Sequence, residues 1–85
     1  MSSAIHLTKA ARLQVEAIRE VLAPWGLASA LANEGPHMCL KVTGPRGGVW
    51  RLVIAGTPRD ADAAVVMARG KARRLVRQIN GRAGY

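Results

Sequence analysis

The run His37-Met38-Cys39-Leu40-Lys41-Val42-Thr43-Gly44-Pro45-Arg46-Gly47-Gly48-Val49-Trp50-Arg51-Leu52-Val53-Ile54-Ala55 decides the fold. Its first seven residues alternate. Met38, Leu40 and Val42 fall on one face of an extended chain, and His37, Cys39, Lys41 and Thr43 on the other. From Val49 to Ala55 the alternation resumes, with Trp50, Leu52 and Ile54 on one face and Arg51 and Val53 on the other. Between the two lies Gly44-Pro45-Arg46-Gly47-Gly48, whose glycines and proline read as a hairpin loop. Two strands joined this tightly must pair antiparallel, and each shows only one apolar face.

Outward from this hairpin the pattern changes period. Upstream, Leu27 to Asn33 is an alanine-rich run expected as a third strand, separated from the hairpin by Glu34-Gly35-Pro36. Before it, Ala11, Val15, Ile18 and Leu22 recur at helical spacing, predicting a helix from about Thr8 to Ala23, with Thr8 as its cap and Pro24 as its stop. Trp25-Gly26 makes the exit turn, and Trp25 is expected to pack between this helix and the sheet. Downstream, Thr57-Pro58 fits an N-cap followed by proline at the first helical position. Ala64, Ala68, Ala72, Leu75 and Ile79 then form an apolar stripe. Gly70 lies inside that helix, where glycine is unfavourable, and allows for a bend.

The expected fold is therefore α+β: a two-layer α-β-β-β-α domain whose antiparallel three-stranded sheet carries both helices on one face. Eighty-five residues suit one domain, residues 1–85, with an ordered core over about 8–80 and Gly81 to Tyr85 as a frayed tail. The expected core is Val15, Ile18 and Leu22, then Leu40, Val42, Trp50, Leu52 and Ile54, then Leu75 and Ile79.

The charge is lopsided. Thirteen lysines and arginines against five acids give a formal net charge of +8. From Arg69 to the end there are six basic residues and no acid. Such a surface attracts polyanions through phosphate, without reading sequence. The candidate contacts are Arg69, Arg73 and Arg77 at i,i+4 spacing, Lys71 and Arg74 at their margins, Arg46 at the hairpin tip, and Lys41 and Arg51 on the outward sheet face. The same cations also complement a helix C-terminus. Neither tryptophan is interleaved with basic residues in the manner of a base-stacking platform.

Candidates for catalysis are few. His37, with an unperturbed pKa near 6.5, is the one general acid or base in view. Cys39 lies two residues away on the same face, at marginal reach for a Cys-His pair, and reads as a small apolar residue. One cysteine excludes an internal disulfide, and the scattered Cys and His match no metal-ligand spacing. No cofactor is implied. The first residues lack a secretory signal pattern and no apolar run is long enough to span a bilayer, so a cytoplasmic protein with no membrane partner is expected.

The run Gly35-Pro36-His37, followed by the basic hairpin with Gly47-Gly48 and then Thr57-Pro58, resembles the HicA-type messenger-RNA interferase toxins of bacteria. Those proteins place a glycine, a small residue and a histidine at a strand start. Pro36 and Met38 stand where they usually carry a serine and often a second histidine. The element order is also similar to the double-stranded-RNA-binding-domain-like architecture. That family sets a lysine cluster at the start of its last helix, where this chain has Asp60 and Asp62. The stretch from Gly56 through Asp60 to Arg73-Arg74-Leu75 looks similar to small phage and prophage proteins, which implies a host-cell cytoplasm. The resulting expectation is a small basic protein that binds RNA or DNA through its C-terminal helix. Two alternatives stand beside it. One is a host-modulating module that binds an acidic protein surface. The other, implied by the resemblance, is a metal-independent ribonuclease using His37. A homodimer through an exposed strand edge is compatible with each.

Overall fold

The computed structural model describes residues 7–34 and 37–82, without the side chains of Glu34, His37, Gly81 and Arg82. Helix α1 spans Lys9–Leu22 and runs into a 3-10 turn at Ala23–Trp25. Strands β1 (Ala28–Glu34), β2 (His37–Thr43) and β3 (Val49–Ile54) follow, and helix α2 (Ala61–Arg82) closes the fold. The strands form one antiparallel meander in the order β1-β2-β3. Helices precede and follow the sheet, and both pack on the face that carries Leu40, Val42 and Ile54.

Register explains that face. Leu40 stands between Leu31 and Leu52, and Val42 between Ser29 and Trp50. Leu40 and Val42, on the central strand, have no exposed surface. They meet Ala11, Val15, Ile18 and Leu22 of α1 and Ala68, Ala72, Leu75, Val76 and Ile79 of α2. Trp50 and Leu52 were expected in this core but are only partly buried at its margin. They belong to an edge strand, which has a neighbour on one side only. Val76 widens the buried stripe of α2 beyond the simple i,i+4 row.

The two helices run parallel. Leu13 to Glu20 on α1 and Asp62 to Arg69 on α2 line one shared groove. Glu20 meets Arg69 at its far end. The starts of both helices therefore lie at one end of the molecule, where β3 finishes, and both run toward the β2–β3 hairpin.

At the starting end, hydrogen bonds fasten α1 to the chain leaving β3. The Thr8 hydroxyl accepts from the Ala11 N–H at 3.1 Å, capping α1, and donates to the Gly56 carbonyl at 2.7 Å. Gln14 is 97% removed from solvent, at 3% exposure. Its amide donates to the carbonyls of Ala10 (3.1 Å) and Ala55 (2.8 Å) and accepts from the Ala55 N–H (3.1 Å). It satisfies both main-chain groups of Ala55, just beyond β3, as a neighbouring strand would.

The start of α2 differs from expectation. Thr57 and Pro58 remain in the loop, and the cap is Asp60, whose Oδ1 accepts from the Ala63 N–H at 3.1 Å. Aspartate is among the strongest N-caps. Because Gly56 is held against Thr8, the chain uses the next residues to turn before the helix begins. From Ala61 the helix continues without interruption through Gly70 and on to Arg82, two residues into the expected tail. Ala83 to Tyr85 lie outside the described residues.

Trp25 is also a correction. It is 52% exposed and does not fill the space between α1 and the sheet. The 3-10 turn carries it outward, and Gly26, at φ 65°, takes the left-handed conformation that ends the turn. Leu22 and Leu27 take the interior positions instead. The Leu27 N–H closes back on the Leu22 carbonyl at 3.5 Å, and β1 begins one residue later than expected.

Candidate nucleic-acid interface

The basic residues marked by the sequence do not form one surface. Arg69 turns toward α1, where its Nη2 donates to Glu20 Oε1 at 3.2 Å. Both side chains are substantially exposed, so the pair contributes little stability, but it ties Arg69 to an acid. Lys71 lies on the opposite flank of α2, half-buried in a groove of about 290 Å³ shared with Val53, Ala55 and Met67. Lys41 and Arg51 are cross-strand partners on the outward face of the sheet, away from both helices.

Arg73, Arg74 and Arg77 behave differently. All three are exposed. At 3.6 residues per turn they span an arc of about 100° opposite the buried stripe. Among the described residues, none of the three meets a carboxylate. They lie on the half of α2 that runs past Glu20 and Arg69 toward the β2–β3 hairpin. Its tip residue, Arg46, is exposed at the same end. A groove of about 270 Å³ joins these elements, lined by Trp25, Thr43, Gly44, Pro45, Ile79 and Asn80 among others. The hairpin is stiff there: the Gly44 N–H donates to the Gly48 carbonyl at 2.8 Å and the Gly47 N–H to the Gly44 carbonyl at 3.1 Å. The Trp50 ring packs on Gly44 and Gly48, and a Cβ at Gly44 would stand 2.5 Å from its Cζ3.

Among the described residues, no acidic side chain lies beyond Glu20 and Arg69 toward the hairpin. After Glu34 the only acidic side chains of the sequence are Asp60 and Asp62, both at the start of α2. On α1 the last is Glu20, paired to Arg69.

Gly35 and Pro36 lie outside the described residues, as does the side chain of His37. The backbone of His37 opens β2 opposite Glu34, at the end remote from the hairpin arginines. Lys41 follows four residues on, about 13 Å away at a strand rise of 3.3 Å per residue. Cys39 is buried between its cross-strand neighbours Ala32 and Val53. Among the described residues no cluster of His, Cys, Asp and Glu could hold a metal ion, and no helix is long and apolar enough to cross a membrane.

Trp25 is the residue at this end that the sequence reading missed. The available signal was its setting, Pro24-Trp25-Gly26, since a turn between helix and strand runs over the surface. No protein-family model matches the chain, and neither a curated protein nor a solved structure does.

Proposed function

We propose that this protein is a nucleic-acid-binding module that grips phosphate with Arg46, Arg73, Arg74 and Arg77. The observation that carries the reading is the exposure of these four arginines at one acid-free end of the molecule. Phosphate contacts of this kind give affinity that falls with salt and is largely indifferent to sequence. The reading leaves Arg69, Lys71, Lys41 and Arg51 outside the contact surface, because Arg69 is paired to Glu20, Lys71 lies in a side groove, and Lys41 and Arg51 lie on the outward sheet face.

Replacing Arg73 and Arg77 together by glutamine tests it. Binding to unrelated sequences should weaken alike. The slope of log affinity against log salt should fall by about 0.9 per lost contact on duplex DNA, or about 0.7 on single strands. Unchanged affinity and slope would remove α2 from the interface. A protein that purifies free of nucleic acid, and whose capture of an acidic protein survives excess generic RNA, would replace this reading with the protein-surface one.

A further inference from the structure

We propose that Trp25 is a base-stacking position, so that the strand held by the hairpin-end arginines is single-stranded. This rests on the nucleic-acid reading above and names the form of substrate it takes. Four observations converge on the ring.

The first is exposure. Trp25 keeps 52% of its surface in solvent, whereas Trp50, the other tryptophan, is partly buried on Gly44 and Gly48. One indole is therefore used by the fold and the other is presented. The second is rigidity. Pro24 fixes one side of the turn, the Gly26 N–H bonds the Ala23 carbonyl at 3.1 Å, and left-handed Gly26 closes the other side. A stacking platform held in place loses little freedom when a base settles on it.

The third is the groove. At about 270 Å³ it falls just below the usual range of drug-sized pockets, which suits a single planar ring. Beside the indole its walls include Thr43 and Asn80, a hydroxyl and an amide able to meet the polar edge of a base. The fourth is charge. Arg77 lies about one helical turn before Asn80 and Arg73 about two, on the same side of α2. Arg46 follows directly on Pro45, which lines the groove. A base on Trp25 would thus have its flanking phosphates within the reach of arginines on both sides. Bases in a duplex are stacked on one another and closed to such a ring, whereas single strands offer every base face.

The test compares wild type, Trp25→Ala and Trp25→Phe on a labelled 12-nucleotide oligothymidine, its RNA counterpart, and a duplex of the same length. Stacking on one aromatic residue is typically lost with a weakening of about 5- to 150-fold. For Trp25→Ala the ratio of single-strand to duplex affinity should fall by that factor, while the salt slope set by the arginines keeps its value. Trp25→Phe should retain much of the single-strand preference but lose the quenching of indole fluorescence that accompanies binding. Thermal melts of both variants should match wild type closely, because the ring is half exposed. An unchanged affinity ratio in Trp25→Ala overturns the stacking proposal and leaves phosphate binding standing. A wild type that binds duplex as tightly as single strands also overturns it. Binding of neither form overturns the nucleic-acid reading and this proposal together.

Discussion

The two ends of this small molecule are built on different chemistry. Where the helices start, main-chain groups are satisfied by side chains: Thr8 reaches Gly56, Gln14 brackets Ala55, and Asp60 caps α2. Asp60 and Asp62 stand there at the start of α2, while Glu16 and Glu20 follow along the shared helix groove, Glu20 in the last turn of α1. Where the helices finish, the holding contacts are aromatic packing and a glycine hairpin, and the charges are arginines. On α2 the acids near the start and the arginines toward the end both suit the macrodipole. On the proposed reading, one end holds a polyanion while the other holds the helices to the sheet. That reading draws affinity and stability from separate regions, and substitutions should reveal the separation.

The largest effect is expected at the fastened end. Gln14→Ala removes three hydrogen bonds made by a buried side chain and should cost about 3 kcal/mol, at about 1 kcal/mol net for each. At about 4–8 °C per kcal/mol for a domain of this size, the melting midpoint should drop by more than 10 °C. Salt dependence of binding, measured well below that midpoint, should be as in wild type. A Gln14→Ala protein that melts normally would show that α1 is not held by this amide.

At the hairpin end, Gly44→Ala drives a methyl group into the Trp50 ring. Overpacking of this kind costs about 1–3 kcal/mol. Because the same loop walls the Trp25 groove, the substitution should weaken single-strand binding as well as stability, unlike Gln14→Ala. Loss of stability alone would place the groove outside the interface.

The smallest change should be a gain. Gly70 sits inside α2, and a Cβ there meets nothing within 4 Å. Gly70→Ala should stabilise by about 1 kcal/mol, read as a small rise in the melting midpoint. A fall instead would show that the helix bends at Gly70 in solution.

Much of the architecture was legible in the residues because period and burial coincide. The alternation of Met38, Leu40 and Val42 is that of β2, and Ala11, Val15, Ile18 and Leu22 are the buried row of α1. The Thr8 cap was legible for the same local reason. Asp60 was displaced from its role by Thr57-Pro58, an equally good local signal, because the sequence does not show that Gly56 is already held by Thr8. Gln14 left no trace in the pattern: a polar residue on a helix reads as exposed until Ala55 is known to pass beside it. The basic positions were all visible, but not their division into an ion pair, a side groove, a sheet face and an open end.

By itself, then, the sequence determined the elements, their order, the apolar face of each strand and the acid-free character of everything after Asp62. Those follow from local periodicity, capping chemistry and composition, which need no partner. Only the tertiary structure decided which arginines remain open to a ligand and that Trp25 stands beside them. Exposure is set by what the parallel helices and the hairpin cover, and these pair Glu20 with Arg69 and bring Trp25 and Asn80 to the walls of one groove.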